Sequence, residues 1–391
     1  MPINNITGSP VEGENFYGRE KELDFAWNQI KKGNSLILSA PRRVGKSSFA
    51  KKMLEFAKKE NWNTLEINLE EVKSEEGFIR LFIEKIEAEK WWPKIKNRTG
   101  SLRDQIFESI KSIEIFGAKT SIEWKSKKDD IYCKLKKILD HDEDTLIMVD
   151  ELTILLSCFI KNDKKNGISD VEYFLNWLRS FRQVSGTKIR WIFCSSIGID
   201  NFTNMNNLSY TLNDINSLPI DEFNAKQSKE FLKQLAKSEK LDINDKQAEY
   251  ILHKLGWNLP YFMQILFSNI NQLHKIHDKA ISENTIDQAY SSLINEKHLN
   301  TWDERLKEYN DYESHARSIL KQLSKNKDGV NRNNLYNLLY SGINDPDKTE
   351  KYLSKLLYIL KNDGYIIDTR EAKYVFRSPL LRDFWFNRIV K

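Results

Sequence analysis

The chain has 391 residues, of which 30% are charged and 40% hydrophobic, with a net charge of +5. This length predicts two or three domains with a substantial core, and the balance of residue types is that of a soluble globular protein. No apolar run has the length of a membrane span, and the first residues lack the basic and apolar regions of a signal peptide. We therefore expect a cytoplasmic protein that does not contact membranes.

A polar tail, residues 1–15, precedes the phrase Phe16-Tyr17-Gly18-Arg19-Glu20-Lys21-Glu22-Leu23. The phrase leads into a helix that is predicted to run to about Ile30. Taken alone, it also fits an ordinary helix start that carries a basic residue.

The next element is the apolar strand Leu36-Ile37-Leu38, followed by Ala40-Pro41-Arg42-Arg43-Val44-Gly45-Lys46-Ser47-Ser48 and a helix from Phe49 to Lys58. Strand, loop and helix in this order are the setting of a phosphate-binding P-loop. Gly45 lets the backbone amides close round a β-phosphate, Lys46 reaches the β- and γ-phosphates, and the Ser47 hydroxyl is a ligand for Mg²⁺. The motif normally opens with glycine, whereas this chain has Ala40. The alternative is a basic loop that caps a helix.

A second strand, Thr64 to Leu69, is followed by a helix from about Ser74 to Lys90 with apolar residues at helical spacing. Residues 112–124 then alternate apolar and polar side chains about Gly117, which predicts an inserted β-hairpin. A further helix, Ile131 to Leu139, leads to the next strand.

The run Leu146-Ile147-Met148-Val149-Asp150-Glu151 reads as a buried parallel strand that ends in two carboxylates. A buried strand has no structural need for charges at its end. In a P-loop ATPase the first of these carboxylates holds the hydrated Mg²⁺, and the second polarises the attacking water. We assign these roles to Asp150 and Glu151, with a simple helix N-cap by Asp150 as the alternative.

The helix Val171 to Val184 and the strand Ile189 to Cys194 continue the alternation, which predicts an α/β fold with a parallel sheet and helices on both faces. Ser195 and Ser196 follow the strand at the position of a γ-phosphate sensor, although two serines there are also ordinary turn residues. Arg179 and Arg182 on the preceding helix are candidate arginine fingers. A solvated helix face is the alternative for both.

From Asp221 the strands stop, and the pattern predicts four helices that together have the size of a helical lid. They run from Ala225 to Lys237, Asp245 to Leu255, Tyr261 to His274 and Glu283 to Asn295. Gly256-Trp257-Asn258-Leu259-Pro260 separates the second from the third. The alternative is that Gly256 simply ends one helix and Pro260 simply starts the next, since both residues are common at these positions.

The last part predicts a winged helix, with helices Ala316 to Ser324, Asn333 to Tyr340 and Lys348 to Asn362, and a wing over residues 365–376. Residues 316–391 hold 15 basic against 8 acidic side chains. An apolar stripe on the long helix puts Lys348, Lys351 and Lys355 on its other side, and Arg370 and Lys373 lie on the wing. These five residues would contact DNA phosphates, unless the module serves as a protein contact.

Several of these phrases together resemble one family. Phe16-Tyr17-Gly18-Arg19 before Pro41-Arg42-Arg43-Val44-Gly45-Lys46-Ser47, with the closing residues 374–385, resembles the archaeal-type ATPases of the STAND group, relatives of AAA+ proteins. The resemblance spans nearly the whole chain. It implies that residues 16–19 lie against adenine and ribose and that Pro260 packs near the adenine. The hairpin predicted at residues 112–124 also resembles this family. The implied domains are a P-loop core (16–220), a helical lid (221–300) and a winged helix (301–391).

Three functions remain open. The first is a regulatory ATPase switch that binds ATP or ADP with Mg²⁺ and acts through a protein partner, with homo-oligomers possible; the resemblance suggests mobile-element or defence settings. The second is an ATPase that loads on or remodels DNA. The third is a nucleotide-locked binding module with negligible turnover.

Overall fold

A computed structural model describes residues 3–115, 121–139, 142–195 and 198–390 of the chain. The residues form two compact units. The sheet unit consists of Arg19–Ser39 and Phe49–Pro219. The helical unit consists of Met1–Gly18, Ala40–Ser48 and Ile220–Lys391, so it includes the P-loop segment.

The sheet unit contains one five-stranded sheet in which every paired strand is parallel to its neighbours. The order across the sheet is β2-β3-β4-β1-β5. Its strands are β1 (Leu36–Ser39), β2 (Asn63–Asn68), β3 (Thr145–Asp150), β4 (Ile189–Phe193) and β5 (Asn216–Pro219). The carboxyl ends of parallel strands form the edge at which α/β proteins bind ligands.

The central strands are apolar on both faces, as in other parallel sheets whose two faces are covered by helices. In β3 every residue from Thr145 to Val149 is buried, and exposure begins only at Asp150. Leu36 of β1 lies opposite Ile192 of β4 on one side and Asn216 of β5 on the other. This register places β1 in the interior of the sheet, between β4 and β5.

Eight helices are described with the sheet, and the chain enters one of them, α2, from the P-loop. They are α1 (Glu20–Lys31), α2 (Lys46–Lys59), α3 (Glu75–Ala88), α4 (Trp92–Ile115), α5 (Ser121–Leu139), α6 (Leu152–Asn162), α7 (Gly167–Arg182) and α8 (Ile199–Met205). Aromatic side chains fill much of the core. The rings of Phe78 and Phe174 meet edge to face at 4.9 Å, and Trp191 stacks on Phe193 at 5.7 Å.

The predicted hairpin at 112–124 is wrong where the chain is described. Residues 112–115 end helix α4 and residues 121–124 begin helix α5; residues 116–120 lie outside the described residues. The reason is visible upstream, since Ile106 and Ile110 are both buried four residues apart on α4. That spacing continues a helical face, and it outweighs a short stretch of alternating polarity.

In the helical unit, the four helices predicted after Asp221 are confirmed. They are α9 (Ala225–Ser238), α10 (Asp245–Leu255), α11 (Pro260–His277) and α12 (Glu283–Ile294). Asn224 with Gln227 and Asn244 with Gln247 form capping boxes that start α9 and α10. Gly256 ends α10 with φ of 61°, a conformation that glycine adopts without strain.

The C-terminal module follows α13 (Asn300–Arg305). Its elements are α14 (Glu313–Lys325), β6 (Val330–Asn331), α15 (Arg332–Ile343), α16 (Pro346–Asn362), β7 (Ile366–Asp368), β8 (Lys373–Phe376) and α17 (Pro379–Trp385). The three strands form an antiparallel sheet in the order β6-β8-β7. The predicted apolar stripe of α16 is buried: Leu353, Leu356 and Leu360 have no exposed surface.

The four helices and the C-terminal module are joined by specific polar contacts. Tyr290 of α12 donates a hydrogen bond to Asp383 at 3.0 Å, and the Ser378 hydroxyl donates to the Leu255 carbonyl at 2.8 Å. The Arg377 guanidinium pairs with Glu222 at 2.9 Å. They therefore form one compact unit. Across the described ranges, no helix combines the length and the apolar character needed to cross a membrane.

Candidate nucleotide-binding site

The P-loop has the backbone conformation that its motif requires. Gly45 has φ of 104°, and a Cβ at this position would meet no atom within 4 Å. The space that a side chain would fill is thus open, which is what close approach of a phosphate needs. Lys46 is the first residue of α2, so the positive end of the helix dipole lies at the end of the loop.

The Lys46 ammonium binds its own loop. Nζ donates to the carbonyl oxygens of Ala40 at 2.7 Å and Pro41 at 2.9 Å, and the residue is only 7% exposed. These are neutral acceptors. A phosphate oxygen carries charge and forms a stronger bond with an ammonium, so a bound phosphate competes well for this group.

The two serines of the loop differ in their surroundings. Ser48 is buried, and its hydroxyl accepts a hydrogen bond from the Val11 amide at 2.9 Å. Ser47 is half-buried in the first turn of α2. Ser48, the neighbour of the predicted Mg²⁺ ligand Ser47, therefore binds the N-terminal segment.

Arg43 is the most unusual residue of the loop. Its φ is 66°, in the left-handed region, and its guanidinium carbon lies 4.4 Å from the centre of the Tyr261 ring on α11. Burial raises the pKa of Tyr261, and the charges of Arg43 and Arg42 oppose that shift. Arg43 Nε is buried and has no acceptor among the described residues. Pro260, a predicted nucleotide contact, is the first residue of the same helix.

The predicted nucleotide-contact phrase divides between the units after Gly18. In the helical unit, the Tyr17 ring packs against Phe223 at 5.6 Å and Phe231 at 5.3 Å, and Gly18 has φ of 69° beside Phe223. Phe16 precedes them in the chain and is half-buried. Arg19 belongs to the sheet unit, where it is 4% exposed and lies 3.6 Å from Glu22.

In the sheet unit, Asp150 and Glu151 stand at the carboxyl end of β3. Asp150 Oδ1 accepts a hydrogen bond from the Glu151 amide at 3.0 Å. Glu151 has φ of 58° and ψ of 33° where α6 begins. A residue with a long side chain adopts this left-handed conformation at a cost of about 1–2 kcal/mol, and such strain clusters at functional sites.

Ser195, the first predicted phosphate sensor, contacts the second carboxylate. It follows β4, it is 3% exposed, and its hydroxyl lies 3.4 Å from Glu151 Oε2. Thr153 of α6 bonds to the same hydroxyl through its amide at 3.3 Å and through its own Oγ1. Ser196 lies outside the described residues.

Two further residues of this edge were missed by sequence reasoning, namely Thr153 and Asp200. Burial raises the pKa of Asp200 in the first turn of α8, and a hydrogen bond with Ser39 at the end of β1 opposes that shift. Nothing in the local pattern of either residue singles it out, because each contacts a strand end that is distant in sequence.

The candidate arginine fingers have partners in their own chain. The Arg182 side chain is 4% exposed and bonds to Asp214 through Nε at 2.8 Å and Nη2 at 3.1 Å. Arg179 Nη1 donates to the Tyr210 carbonyl at 3.0 Å. Burial of Asp214 is outweighed by Arg182, whose bond and charge lower the pKa of that carboxyl. Both arginines thus anchor the segment before β5, and their role as fingers stays a prediction.

The lysine face of α16 is less uniform than its spacing predicts. Lys348 and Lys351 are exposed and Lys355 is half-buried. Lys348 lies over the ring of Tyr352 at 5.5 Å, and Lys355 lies over the ring of Tyr312 at 5.2 Å. Burial and the charge of Lys351 lower the pKa of Lys355.

Acidic groups also lie on this module. Glu350 accepts a 2.9 Å hydrogen bond from Arg332, and on the wing Lys373 pairs with Glu371 at 2.8 Å while Arg370 is exposed. The surface therefore carries both signs of charge.

Comparison with solved structures shows the fold. A Walker-type ATPase of Pyrococcus abyssi matches with a TM-score of 0.64 and 14% identity, over 97% of this chain and 99% of that one. The ORC2 protein of Aeropyrum pernix, solved as ADPNP–ADP complexes, matches with a TM-score of 0.50 and 12% identity, over 95% of each chain. The chain shares the α/β fold of these structures, with a parallel sheet and many helices. No protein-family model matches the sequence, and no curated protein matches it either.

Proposed function

We propose that this chain is a slow, Mg²⁺-dependent ATPase of the STAND/AAA+ type that acts as a switch on a protein partner. The observation that carries the proposal is the P-loop. Gly45 leaves space for a phosphate. Lys46 stands at the start of α2, where its ammonium donates to two carbonyl oxygens that a phosphate oxygen can replace. A loop that served only as a helix cap would need neither feature.

The residues present fit ATP and Mg²⁺. The P-loop amides and Lys46 would hold the β- and γ-phosphates, and Arg43 Nε is a buried donor that has no described acceptor. Ser47 and Asp150 offer the oxygen ligands that Mg²⁺ prefers. The ion, when bound, neutralises charge on the phosphate oxygens.

Glu151 would accept a proton from the water that attacks the γ-phosphate, which breaks the β–γ bond and releases ADP and phosphate. Its fixed backbone and its contact with Ser195 support this role. Tyr17 and Gly18 would lie against the base and ribose, beside Pro260. Slow turnover is expected until a partner completes the site.

The helical unit supports the switch. Within it the P-loop lies against both later parts of the chain: Arg43 lies over Tyr261 of α11, and Pro41 lies beside Gly364 of the C-terminal module. A phosphate that reorders this loop would change both contacts. The γ-phosphate of ATP can therefore bias the position of α11 and of the C-terminal module. We propose that α11 belongs to a lid and that the C-terminal module is a winged helix.

Copurification tests the switch. Tagged Glu151→Gln protein, which should retain ATP, is captured from its native cells and compared with Lys46→Ala protein, which should bind none, and with the surface control Glu71→Gln. A protein enriched only with Glu151→Gln supports the proposal. Identical sets of proteins from all three would contradict a partner that responds to the ATP state.

A second candidate function is DNA loading or remodelling through the C-terminal module. Exposed Lys351 and Arg370 favour it, and the ion pair of Glu350 with Arg332 opposes it. Duplex DNA binding at low salt would support this function, and its absence would leave the module as a protein contact. A third candidate function is a binding module that holds its nucleotide without hydrolysing it. Measurable ATP turnover would exclude this function.

A further inference from the structure

A buried pair of hydroxyl groups lies behind the second carboxylate of β3. The Ser195 hydroxyl bonds to Glu151 Oε2 at 3.4 Å, to the Thr153 amide at 3.3 Å and to Thr153 Oγ1. Thr153 has no exposed surface, and Ser195 is 3% exposed. The three residues come from two elements, since Glu151 and Thr153 flank the start of α6 and Ser195 follows β4.

The chemistry of the groups fixes the direction of these bonds. A hydroxyl has one proton to donate and two lone pairs to accept with. An ionised carboxylate only accepts, so the Ser195 proton goes to Glu151. The Thr153 amide only donates, and the Thr153 hydroxyl must then donate as well. Ser195 thus accepts twice from Thr153 and gives its only proton to Glu151.

We propose that Thr153 is a positioning residue for ATP hydrolysis, acting on Glu151 through Ser195. The proposal rests on the proposed function, in which Glu151 is the base. With both lone pairs of Ser195 taken by Thr153, the Glu151 carboxylate is the acceptor of the serine proton among the described residues. This holds one oxygen of the long Glu151 side chain in place, and a general base must be held within hydrogen-bond reach of its water.

The test is a substitution that removes only the hydroxyl. Thr153→Val keeps the shape of the side chain, and Thr153→Ser keeps the hydroxyl. For Thr153→Val we expect kcat to fall about 10-fold, the effect of losing the one hydrogen bond by which its hydroxyl holds Ser195. ATP affinity by calorimetry should change less than about twofold, because Thr153 is not among the residues assigned to ATP. Thr153→Ser should restore most of kcat.

Two controls separate positioning from structure. Thr211→Val removes the hydroxyl of another fully buried threonine, which bonds at 2.8 Å to the Leu208 carbonyl, and it should leave kcat unchanged. In a Glu151→Gln background, Thr153→Val should cause no further loss, since both changes act on one group. If Thr153→Val fails to fold, Thr153→Ala, which also removes the hydroxyl, takes its place beside Thr153→Ser.

If Thr153→Val has the wild-type kcat while Glu151→Gln turns over slowly, this inference is wrong and the proposed function stands. Equal losses in Thr153→Ser and Thr153→Val overturn it too, because the hydroxyl would then be irrelevant. Full turnover in Glu151→Gln, or none in the wild-type protein, overturns the proposed function and the inference with it.

Discussion

The guanidinium of Arg43 lies over the ring of Tyr261, with 4.4 Å between its central carbon and the ring centre. This contact ties the P-loop to α11 inside the helical unit. A guanidinium over an aromatic face is stabilising by about 0.5–2 kcal/mol, the larger values applying where water is excluded. Tyr261 is 8% exposed, so we expect the upper part of that range.

A double-mutant cycle on this pair should give a coupling energy of about 1–2 kcal/mol. The variants are Arg43→Met, Tyr261→Leu and their combination, with stability measured by urea unfolding. Tyr261→Phe keeps the ring and serves as the control, which should retain the coupling. Additive effects of Arg43→Met and Tyr261→Leu would mean that the contact contributes nothing.

A second prediction concerns Gly364, at the turn between α16 and β7. Its φ is 84°, and a Cβ there would lie 2.6 Å from Trp257 and 2.9 Å from Pro41. Gly364→Ala should therefore destabilise the protein by about 2–4 kcal/mol, through backbone strain and overpacking together.

Gly342 provides the matched control for this substitution. It lies in helix α15, and a Cβ there would meet nothing within 4 Å. Gly342→Ala should be neutral or stabilising by up to about 1 kcal/mol. If the two variants unfold at the same urea concentration, the close packing of Pro41, Trp257 and Gly364 is not real.

Lys46→Ala should abolish ATP binding while the fold is retained, because the amide cradle alone lacks the charge that holds the β- and γ-phosphates. Calorimetry measures the affinity, and circular dichroism checks the fold. Unchanged affinity in a folded Lys46→Ala protein would contradict the P-loop assignment.

The lysines of α16 give a quantitative prediction for DNA. If Lys348, Lys351 and Lys355 each neutralise one phosphate, replacing all three should reduce the slope of log K against log salt by about 2.7. The packing of Lys355 over Tyr312 makes Lys351 the more accessible of the two. Replacing the exposed Lys226, Lys237 and Lys246 removes the same charge and should leave the slope unchanged. Equal effects of the two triple substitutions would place no DNA surface on α16.

Local pattern predicted much of this fold. Gly256 and Pro260 separate the second from the third predicted helix, and α10 ends and α11 begins there in the structure. The buried run that ends in Asp150 is β3. These features are set by residues that are neighbours in the chain, so they are readable without a structure.

The parts that escaped prediction depend on distant residues. Strand β5 has four residues, of which only Leu218 is buried, and it exists because β1 offers an edge to pair with. The contacts of Arg43 with Tyr261 and of Thr153 with Ser195 likewise join segments far apart in sequence. No periodicity or spacing rule carries that information.

The most direct test of the account is the ATP turnover of Glu151→Gln and Asp150→Asn beside the wild-type protein, with ATP affinity measured on each. Glu151→Gln should bind ATP as the wild type does and turn over about 10²- to 10⁴-fold more slowly, because an amide cannot accept the proton of the attacking water. Asp150→Asn should instead weaken the Mg²⁺ dependence. If both variants hydrolyse ATP at the wild-type rate, the two carboxylates at the end of β3 are structural and the proposed ATPase site is wrong.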